Sequence, residues 1–124
     1  VSIQAAVSAA KEAGIHHFIY LSVAQPLPSM KSYVEVRLEG ENLIRQGSLN
    51  ATLIRPFYVL GPGHRWPYGV MPLFWLARHF LHHGKYRESM KFVTIRQMIR
   101  SIIHAVENPV QGIQILNPSD IRQF

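Results

Sequence analysis

Residues 18–63 read FIYLSVAQPLPSMKSYVEVRLEGENLIRQGSLNATLIRPFYVLGPG, and this stretch decides the fold. It holds two apolar runs, residues 18–23 and 51–57, with a segment of helical character at residues 29–46 between them. The first run is continuous, which is typical of a strand buried on both faces. Gly47 ends the helical segment. A strand, a crossover helix and a second strand predict a parallel pair with a right-handed connection, and therefore an α/β protein.

Further elements are predicted on both sides of this unit. Residues 1–14, VSIQAAVSAAKEAG, indicate an alanine-rich helix without a preceding cap that stops at Gly14 in a left-handed conformation. The later part predicts an apolar helix, a short extended segment, a helix, a last strand and the start of a further helix, at residues 68–83, 92–94, 95–108, 112–116 and 118–120.

The composition excludes several classes of protein. The chain of 124 residues is long enough for one domain with a core and too short for two. It has no cysteine, which excludes disulfides, thiolate metal sites and cysteine nucleophiles. The apolar stretch at residues 68–83 is shorter than the ~20 residues of a membrane span, so we predict none. No signal peptide opens the chain, and a cytoplasmic location is the default expectation.

The chain carries a formal net charge of +6, which is compatible with nucleic acid, an anionic membrane surface or a phosphorylated ligand. The cations are spread along the sequence without a block of like charges, a pattern that favours an ordinary solvated surface. Aromatic residues and cations are not interleaved, so we predict no nucleic-acid partner.

Three histidines have the spacing of a metal site on one helical face. His79, His82 and His83 lie at positions i, i+3 and i+4. However, no carboxylate ligand is nearby in the sequence, and Arg78 and Lys85 add repelling charge. We therefore predict no metal.

Tyr33 and Arg37 lie one helical turn apart on the predicted crossover helix. Lowering a tyrosine pKa from about 10 to about 7 requires about 4 kcal/mol of preferential stabilisation of the phenolate, and a neighbouring guanidinium supplies part of it. The alternative is that Arg37 pairs with Glu35 or Glu41 on a solvated helix face, a contact worth about 0.3 to 0.5 kcal/mol.

Ser22 lies at the carboxyl end of the first strand, and ligands of parallel α/β sheets bind outside the carboxyl ends of the strands. There Ser22 could donate a hydrogen bond to a carbonyl oxygen, Tyr33 could transfer a proton and Arg37 could hold the phenolate. Alternatively, Ser22 is a core hydroxyl bonded to the backbone.

Three pieces of the chain resemble a known family in residue type and order. They are YLSV at residues 20–23, YVEVRLEGENLIRQGSLNATLIRP at residues 33–56 and VLGPG at residues 59–63. They are similar to the second half of the short-chain dehydrogenase/reductase superfamily, nearest its atypical or extended NAD(P)-binding members. The resemblance implies the second half of a doubly wound parallel, Rossmann-like sheet with a small helical segment on the substrate side.

The resemblance also implies how the chain is divided. We expect residues 1–124 to be one incomplete domain, truncated at both ends because both termini cut through predicted elements. Residues 1–62 would form the sheet and the catalytic helix, and residues 63–124 the substrate-side segment and the last strand.

By the same resemblance, Ser22 polarises a substrate carbonyl and Tyr33 is the acid/base residue, with Arg37 as the third catalytic group. The implied cofactor contacts are Tyr33, Arg37, Pro56, Phe57 and Tyr58. The implied substrate contacts are His64, Arg65 and Trp66.

The sequence departs from the family pattern at two points. The family's lysine is Arg37 here, and an arginine keeps the charge but not the compact ammonium that bonds both ribose hydroxyls. The glycine-rich turn that holds a pyrophosphate is also absent, because residues 61–63, GPG, lack its spacing and its helix. Binding of NAD or NADP is therefore expected to need an upstream half of the same domain as a partner.

Two functions follow from these residues. The favoured one is a portion of an NAD(P)-dependent oxidoreductase, dehydrogenase or epimerase that acts on a small carbonyl or sugar-like substrate. The alternative is a catalytically silent dinucleotide-binding regulator or assembly subunit of the same fold, which the arginine at position 37 favours. A homo-oligomer is left open.

Overall fold

The computed structural model describes residues 2–24, 31–61 and 91–124, together with residues 69, 72, 73, 75 and 76. The described elements, in chain order, are α1 (Ile3–Glu12), β1 (Phe18–Leu21), α2 (Lys31–Gln46), β2 (Ala51–Ile54), β3 (Tyr58–Leu60), β4 (Phe92–Thr94), α3 (Ile95–Glu107), β5 (Ile113–Leu116) and α4 (Pro118–Ile121). The α/β class is confirmed. Of the apolar helix predicted at residues 68–83, the described residues 69, 72, 73, 75 and 76 are helical.

The first helix begins and ends for local reasons. Ser2 accepts a hydrogen bond from the backbone N–H of Ala5, so the expectation that α1 has no cap is wrong. Gly14 has a φ of 65°, which is the predicted left-handed stop. After α2 the left-handed conformation falls on Ser48, with a φ of 56°, rather than on Gly47.

The main sheet is parallel throughout, with strand order β1-β2-β5. Phe18 pairs with Ala51 and Leu21 with Ile54, as expected for a strand, crossover helix and strand unit. β5 lies on the other side of β2, where Ile113 pairs with Ala51. β2 is therefore the central strand, and all of its residues are buried.

β1 is an edge strand within the described residues, and the prediction that it is buried on both faces is wrong. Phe18, Ile19 and Tyr20 are half-buried and Leu21 is exposed, because β1 has a neighbouring strand on one side alone among the described residues. The predicted strand was also too long, although the pairing continues past it. The N–H of Ser22 donates to the Ile54 carbonyl.

Helices cover both faces of the main sheet. On one face, α1 and α2 pack against alternate residues of the strands; the buried residues of this cluster are Val7, Ala10, Ile44, Leu49, Ala51 and Leu53. On the other face, α3 and α4 enclose a second cluster, whose buried residues are Ile54, Val93, Met98, Ala105, Leu116 and Ile121. Burial on both faces is the arrangement typical of parallel sheets.

A second, two-stranded sheet was not predicted. β3 and β4 pair in parallel, with Tyr58 opposite Phe92 and Leu60 opposite Thr94. The predicted strand at residues 51–57 therefore ends early, at Ile54, and the chain starts a new strand at Tyr58. Thr94 then caps α3, because its hydroxyl accepts from the Gln97 N–H while the Gln97 side chain accepts from the Thr94 N–H.

Candidate active site

The carboxyl ends of β1 and β2 meet at one rim of the main sheet. Leu21 pairs with Ile54, and the backbone N–H groups of Ser22 and Ala24 donate to the carbonyls of Ile54 and Pro56. Ser22 and Pro56 therefore both lie at this rim. It is the position where parallel α/β sheets bind ligands.

Arg37 joins α2 to the end of β1. Its Nη1 donates a 3.0 Å hydrogen bond to the carbonyl oxygen of Leu21. Because the N–H groups of Phe18 and Ser22 donate towards β2, the backbone groups of Leu21 face the outer edge of the sheet. Arg37 thus covers one carbonyl of that edge.

Tyr33 lies over the same guanidinium. The guanidinium carbon of Arg37 is 5.3 Å from the Tyr33 ring centroid and 6.0 Å from that of Tyr20, so the cation contacts two aromatic rings. Such contacts contribute about 0.5 to 1 kcal/mol at exposed sites. The Tyr33 side chain remains 43% exposed. Its phenol is therefore held beside a cation and is open to a ligand.

The charge on Arg37 is reinforced by its neighbours. Burial works against the charged form, but hydrogen bonding and favourable electrostatics with Tyr20 and Tyr33 outweigh it and raise the pKa of Arg37 above its ordinary value. Arg37 is thus a fixed cation at the rim. The alternative interpretation gave Glu35 or Glu41 as the partner of Arg37. Glu41 pairs with Arg55 instead.

Glu41 is the centre of a buried network that the sequence interpretation missed. Arg55 donates from Nε to one carboxylate oxygen of Glu41 at 2.9 Å and from Nη2 to the other at 2.5 Å. The Ser22 hydroxyl donates to Glu41 Oε1 at 2.5 Å. Glu41 is 1% exposed and Ser22 is also buried. Such two-point pairing of an arginine with a carboxylate is geometrically specific.

The network keeps Glu41 ionised. Burial would raise the pKa of Glu41, but hydrogen bonds from Arg55 and Ser22 and the charges of Arg55 and Arg45 outweigh it and lower the pKa below the ordinary value. The carboxylate is therefore the acceptor for the Ser22 proton. In this arrangement Ser22 is a core hydroxyl whose proton is committed to a side chain, rather than to the backbone or to a ligand.

A signal for this network is present in the sequence. Val34, Glu41 and Ile44 share the buried face of α2, so an acid stands among apolar residues. Arg55 directly follows the fully buried strand β2. An acid on a buried helix face and a cation at the end of a buried strand indicate a pair, since buried charges require partners.

The remaining residues of the predicted site fall into two groups. Phe57 and Tyr58 pack against Phe92, with ring centroids 5.7 and 6.0 Å apart, at the start of the second sheet. The predicted substrate contacts His64, Arg65 and Trp66 lie outside the described residues.

The predicted absence of a metal concerns mostly residues that the structure does not describe. The histidine group His79, His82 and His83 and its neighbours Arg78 and Lys85 lie outside the described part of the chain. Across residues 2–24, 31–61 and 91–124, no group of three or more potential ligands is placed to hold a metal ion.

A helix able to cross a bilayer is likewise not found in the part of the chain that the structure describes. None of the helices there combines the required length with sufficient apolar character.

Comparison with known proteins finds similarity to a curated sequence and to solved structures. No protein-family model matches the chain. A ceramide reductase of Caulobacter vibrioides is 31% identical over 70 residues, which are 56% of this chain and 22% of that protein. The Bordetella bronchiseptica enzyme WbmH, solved in complex with NAD+, has a TM-score of 0.60 at 18% identity and aligns with 93% of this chain and 43% of its own.

These matches bear on the fold. The chain spans less than half the length of either protein. The likeness to WbmH, with the parallel strands and flanking helices, confirms the predicted partial Rossmann-like fold. The fold that the resemblance to the short-chain dehydrogenase/reductase superfamily implies is thus confirmed.

Proposed function

We propose that the chain is a portion of an NAD(P)-dependent oxidoreductase, dehydrogenase or epimerase of the short-chain dehydrogenase/reductase type. Its substrate would be a small carbonyl or sugar-like compound. One observation carries the proposal: the exposed phenol of Tyr33 lies over the fixed cation Arg37, which is bonded to the carboxyl end of β1, a strand that pairs in parallel with β2. WbmH, which shares the fold, was solved in complex with NAD+, and this supports a dinucleotide ligand.

The residues at the rim fit the nicotinamide end of a dinucleotide. The phenol and the cation supply hydrogen bonds to hydroxyl groups, and the half-buried Pro56 and Phe57 supply apolar contact. The sequence holds no glycine-rich turn for the pyrophosphate, so the upstream half of the domain remains the predicted partner. When bound, the cofactor would donate or accept a hydride.

Tyr33 is the proposed acid/base group. As a carbonyl is reduced, its oxygen gains negative charge and takes the phenolic proton; in the reverse direction the phenolate accepts it. Arg37 stabilises the phenolate that remains, because an opposite charge nearby favours the ionised form. Since the guanidinium also donates a hydrogen bond to Leu21 of β1, it fixes the position of Tyr33 relative to the rim.

Ser22 contributes less in this mechanism. To polarise a carbonyl, its hydroxyl must leave the Glu41 carboxylate, and a hydrogen bond to a charged group contributes about 1.5 to 3 kcal/mol. Proton transfer is therefore assigned to Tyr33. A substrate carbonyl would have to compete with the Glu41 carboxylate for the hydrogen bond of the Ser22 hydroxyl.

The test is oxidation of NADH and NADPH by the full-length protein with aldehydes, ketones, nucleotide sugars and a ceramide-related carbonyl compound. Tyr33→Phe should lower turnover about 10²- to 10⁴-fold. Tyr20→Phe is the matched control, because it removes the hydroxyl of the other tyrosine beside Arg37 and keeps the ring. Unchanged turnover in Tyr33→Phe would remove Tyr33 from the mechanism.

A catalytically silent dinucleotide-binding regulator or assembly subunit is the second candidate. It is favoured by a specific observation: the Ser22 proton is committed to Glu41, and one N–H of Arg37 to Leu21. NADH binding, followed by its fluorescence, without turnover across the whole panel would assign this function. Turnover abolished by Tyr33→Phe would exclude it.

A further inference from the structure

An exposed apolar stripe runs along α3. Ile95, Ile99, Ile103 and Val106 are 43%, 49%, 48% and 61% exposed. Their spacing of three or four residues places them on one helical face. We call these four residues the α3 stripe. Scattered exposed apolar residues are normal, but a contiguous row on one helix indicates a contact surface.

The α3 stripe is separate from the face that α3 presents to the core. Met98, Ser101 and Ala105 are buried, and they fix the side of the helix that packs on the rest of the molecule. The capping box of Thr94 and Gln97 holds the helix start. The stripe therefore belongs to a well-anchored helix and is not needed for its packing in this structure.

A row of basic residues lies beside the stripe. Arg96, Arg100 and His104 follow Ile95, Ile99 and Ile103 by one position each, so the sequence reads IRQMIRSIIHAVE. Both arginines are exposed. Within the described residues, the ion pairs involve Glu41 with Arg45 or Arg55, and neither Arg96 nor Arg100 takes part.

Arg100 nevertheless has a fixed position. Its Nη1 donates to the carbonyl oxygen of Phe124 at 3.0 Å, and the Phe124 ring contacts His104 at 5.0 Å between centroids. The acidic residue of the helix, Glu107, is at its far end. The stripe and the basic row thus form one surface with an apolar and a cationic side.

We propose that this surface of α3 docks on an anionic lipid bilayer. An interfacial helix buries aliphatic side chains at the acyl boundary while its flanking cations contact anionic headgroups, and α3 offers both. A second copy would bring the same basic row against its own on a chain of charge +6. Nucleic acid would use the cations and leave the four aliphatic residues in water.

The docked helix lies in the plane of the membrane. Its 13 residues span about 20 Å, enough to set the stripe along the headgroup boundary without crossing the bilayer. The predicted cytoplasmic location is compatible, because the cytoplasmic leaflet carries the anionic lipid. The proposal goes beyond the proposed function and does not depend on it.

The test is flotation of the full-length protein in a density gradient with vesicles of phosphatidylcholine alone, or with about one part in four phosphatidylserine, because aggregated protein does not float with lipid. We expect binding to the anionic vesicles and weak binding to the neutral ones. The double variant Ile99→Ser/Ile103→Ser should bind the anionic vesicles at least about tenfold more weakly than the unchanged protein. Arg96→Gln/Arg100→Gln should lose roughly fivefold for each cation.

The controls match these changes elsewhere on the surface. Val36→Ser removes an exposed apolar residue from α2, and Lys11→Gln/Lys31→Gln removes two exposed cations. Each should bind within twofold of the unchanged chain, and circular dichroism should show that all variants stay folded. Equal losses in the control variants, equal binding to neutral vesicles or no binding at all would overturn the proposal.

Two further outcomes assign the surface to another occupant and also overturn the proposal. One is a concentration-dependent dimer, seen by sedimentation equilibrium, that the Ile99→Ser/Ile103→Ser variant loses. The other is binding of a DNA duplex that Arg96→Gln/Arg100→Gln loses, in the absence of vesicle binding.

Discussion

Glu41 shows how one buried charge organises this molecule. Its carboxylate receives two hydrogen bonds from Arg55 and one from Ser22, which joins α2 to the ends of β1 and β2. A buried carboxylate is stabilised only while its partners remain, because desolvation opposes the charge. The residues that shape the candidate site are therefore also residues on which the fold depends.

Removing the charge of Glu41 should destabilise the fold. Glu41→Gln leaves Arg55 without its ionic partner in a mostly buried position and should lower the free energy of unfolding by about 3 kcal/mol. Glu39→Gln, on the exposed side of the same helix, is the control and should change it by about 0.5 kcal/mol or less. Urea unfolding measures both, and equal effects would contradict the assigned role.

The same carboxylate predicts the direction of a pH dependence. The pKa of Glu41 is lowered in the folded state from about 4.5, so its contribution to stability is present above that value and is lost as the pH falls through the folded pKa. The melting temperature should therefore fall in acid more steeply for the unchanged chain than for Glu41→Gln. Parallel curves for the two proteins would contradict this account.

At the scale of the elements, α2 and β1 approach each other unusually closely at Gly40. A methyl group built on Gly40 would overlap the hydroxyl and ring of Tyr20. The glycine lies inside α2, where it normally weakens a helix by about 0.5 to 1 kcal/mol relative to alanine. The close packing of the Tyr20 ring on the helix is the physical reason for a glycine there.

This contact predicts a reversal of the usual preference. Gly40→Ala should destabilise by about 1 to 3 kcal/mol through overpacking, although alanine favours the helix. In a Tyr20→Ala background, where the ring is gone, the same change should stabilise. A double-mutant cycle by urea unfolding measures the coupling, and additive effects would contradict the contact.

The sequence predicted the helices and strands better than it predicted how the strands pair and how exposed they are. The alternation of apolar runs and helical periodicity identified β1, α2, β2, α3 and β5, since these patterns are local. β3 was missed for two reasons. It is too short, from Tyr58 to Leu60, to show a periodic pattern of apolar residues, and its partner β4 is distant in the sequence, beginning at Phe92. The exposure of β1 depends on which strands surround it, which no local pattern records.

The candidate site was predicted to a similar extent. The rim and the closeness of Tyr33 to Arg37 follow from helix spacing and parallel strands, and the structure has both. The alternative interpretation paired Arg37 with Glu35 or Glu41, because all three lie on one helix. The observed partner of Glu41 is Arg55, which directly follows β2, and the packing of the helix on the sheet brings the two side chains together.

For the molecule as a whole, the outer side of β1 is a vulnerable surface, because no described strand covers it. The backbone of Leu21 faces outwards there, and Arg37 covers one carbonyl. The adjoining side chain of Leu21 is exposed. Edge strands of this kind offer hydrogen-bonding groups to other chains, unless another strand or a charged residue protects them.

The isolated chain should therefore bind hydrophobic dyes or aggregate. Leu21→Lys should reduce aggregation, because a lysine on an edge strand opposes pairing with another chain. Ile15→Lys, which places the same charge on an exposed residue outside the strands, is the control and should change aggregation less. Light scattering measures the difference, whereas a sharp cooperative melt by a monomer would contradict the expectation.

The position of β5 has a consequence for the route by which the chain folds. β1, α2 and β2 are close in sequence, but β5 joins β2 from afar: Thr52 and Gln114, which meet across the two strands, are 62 positions apart. Contacts between distant residues form slowly, since the intervening loop must close before any pairing stabilises it. We expect β1, α2 and β2 to gain amide protection first and β5 to gain it later in pulse-labelling hydrogen exchange. The strand that completes the sheet would then set the pace of its folding.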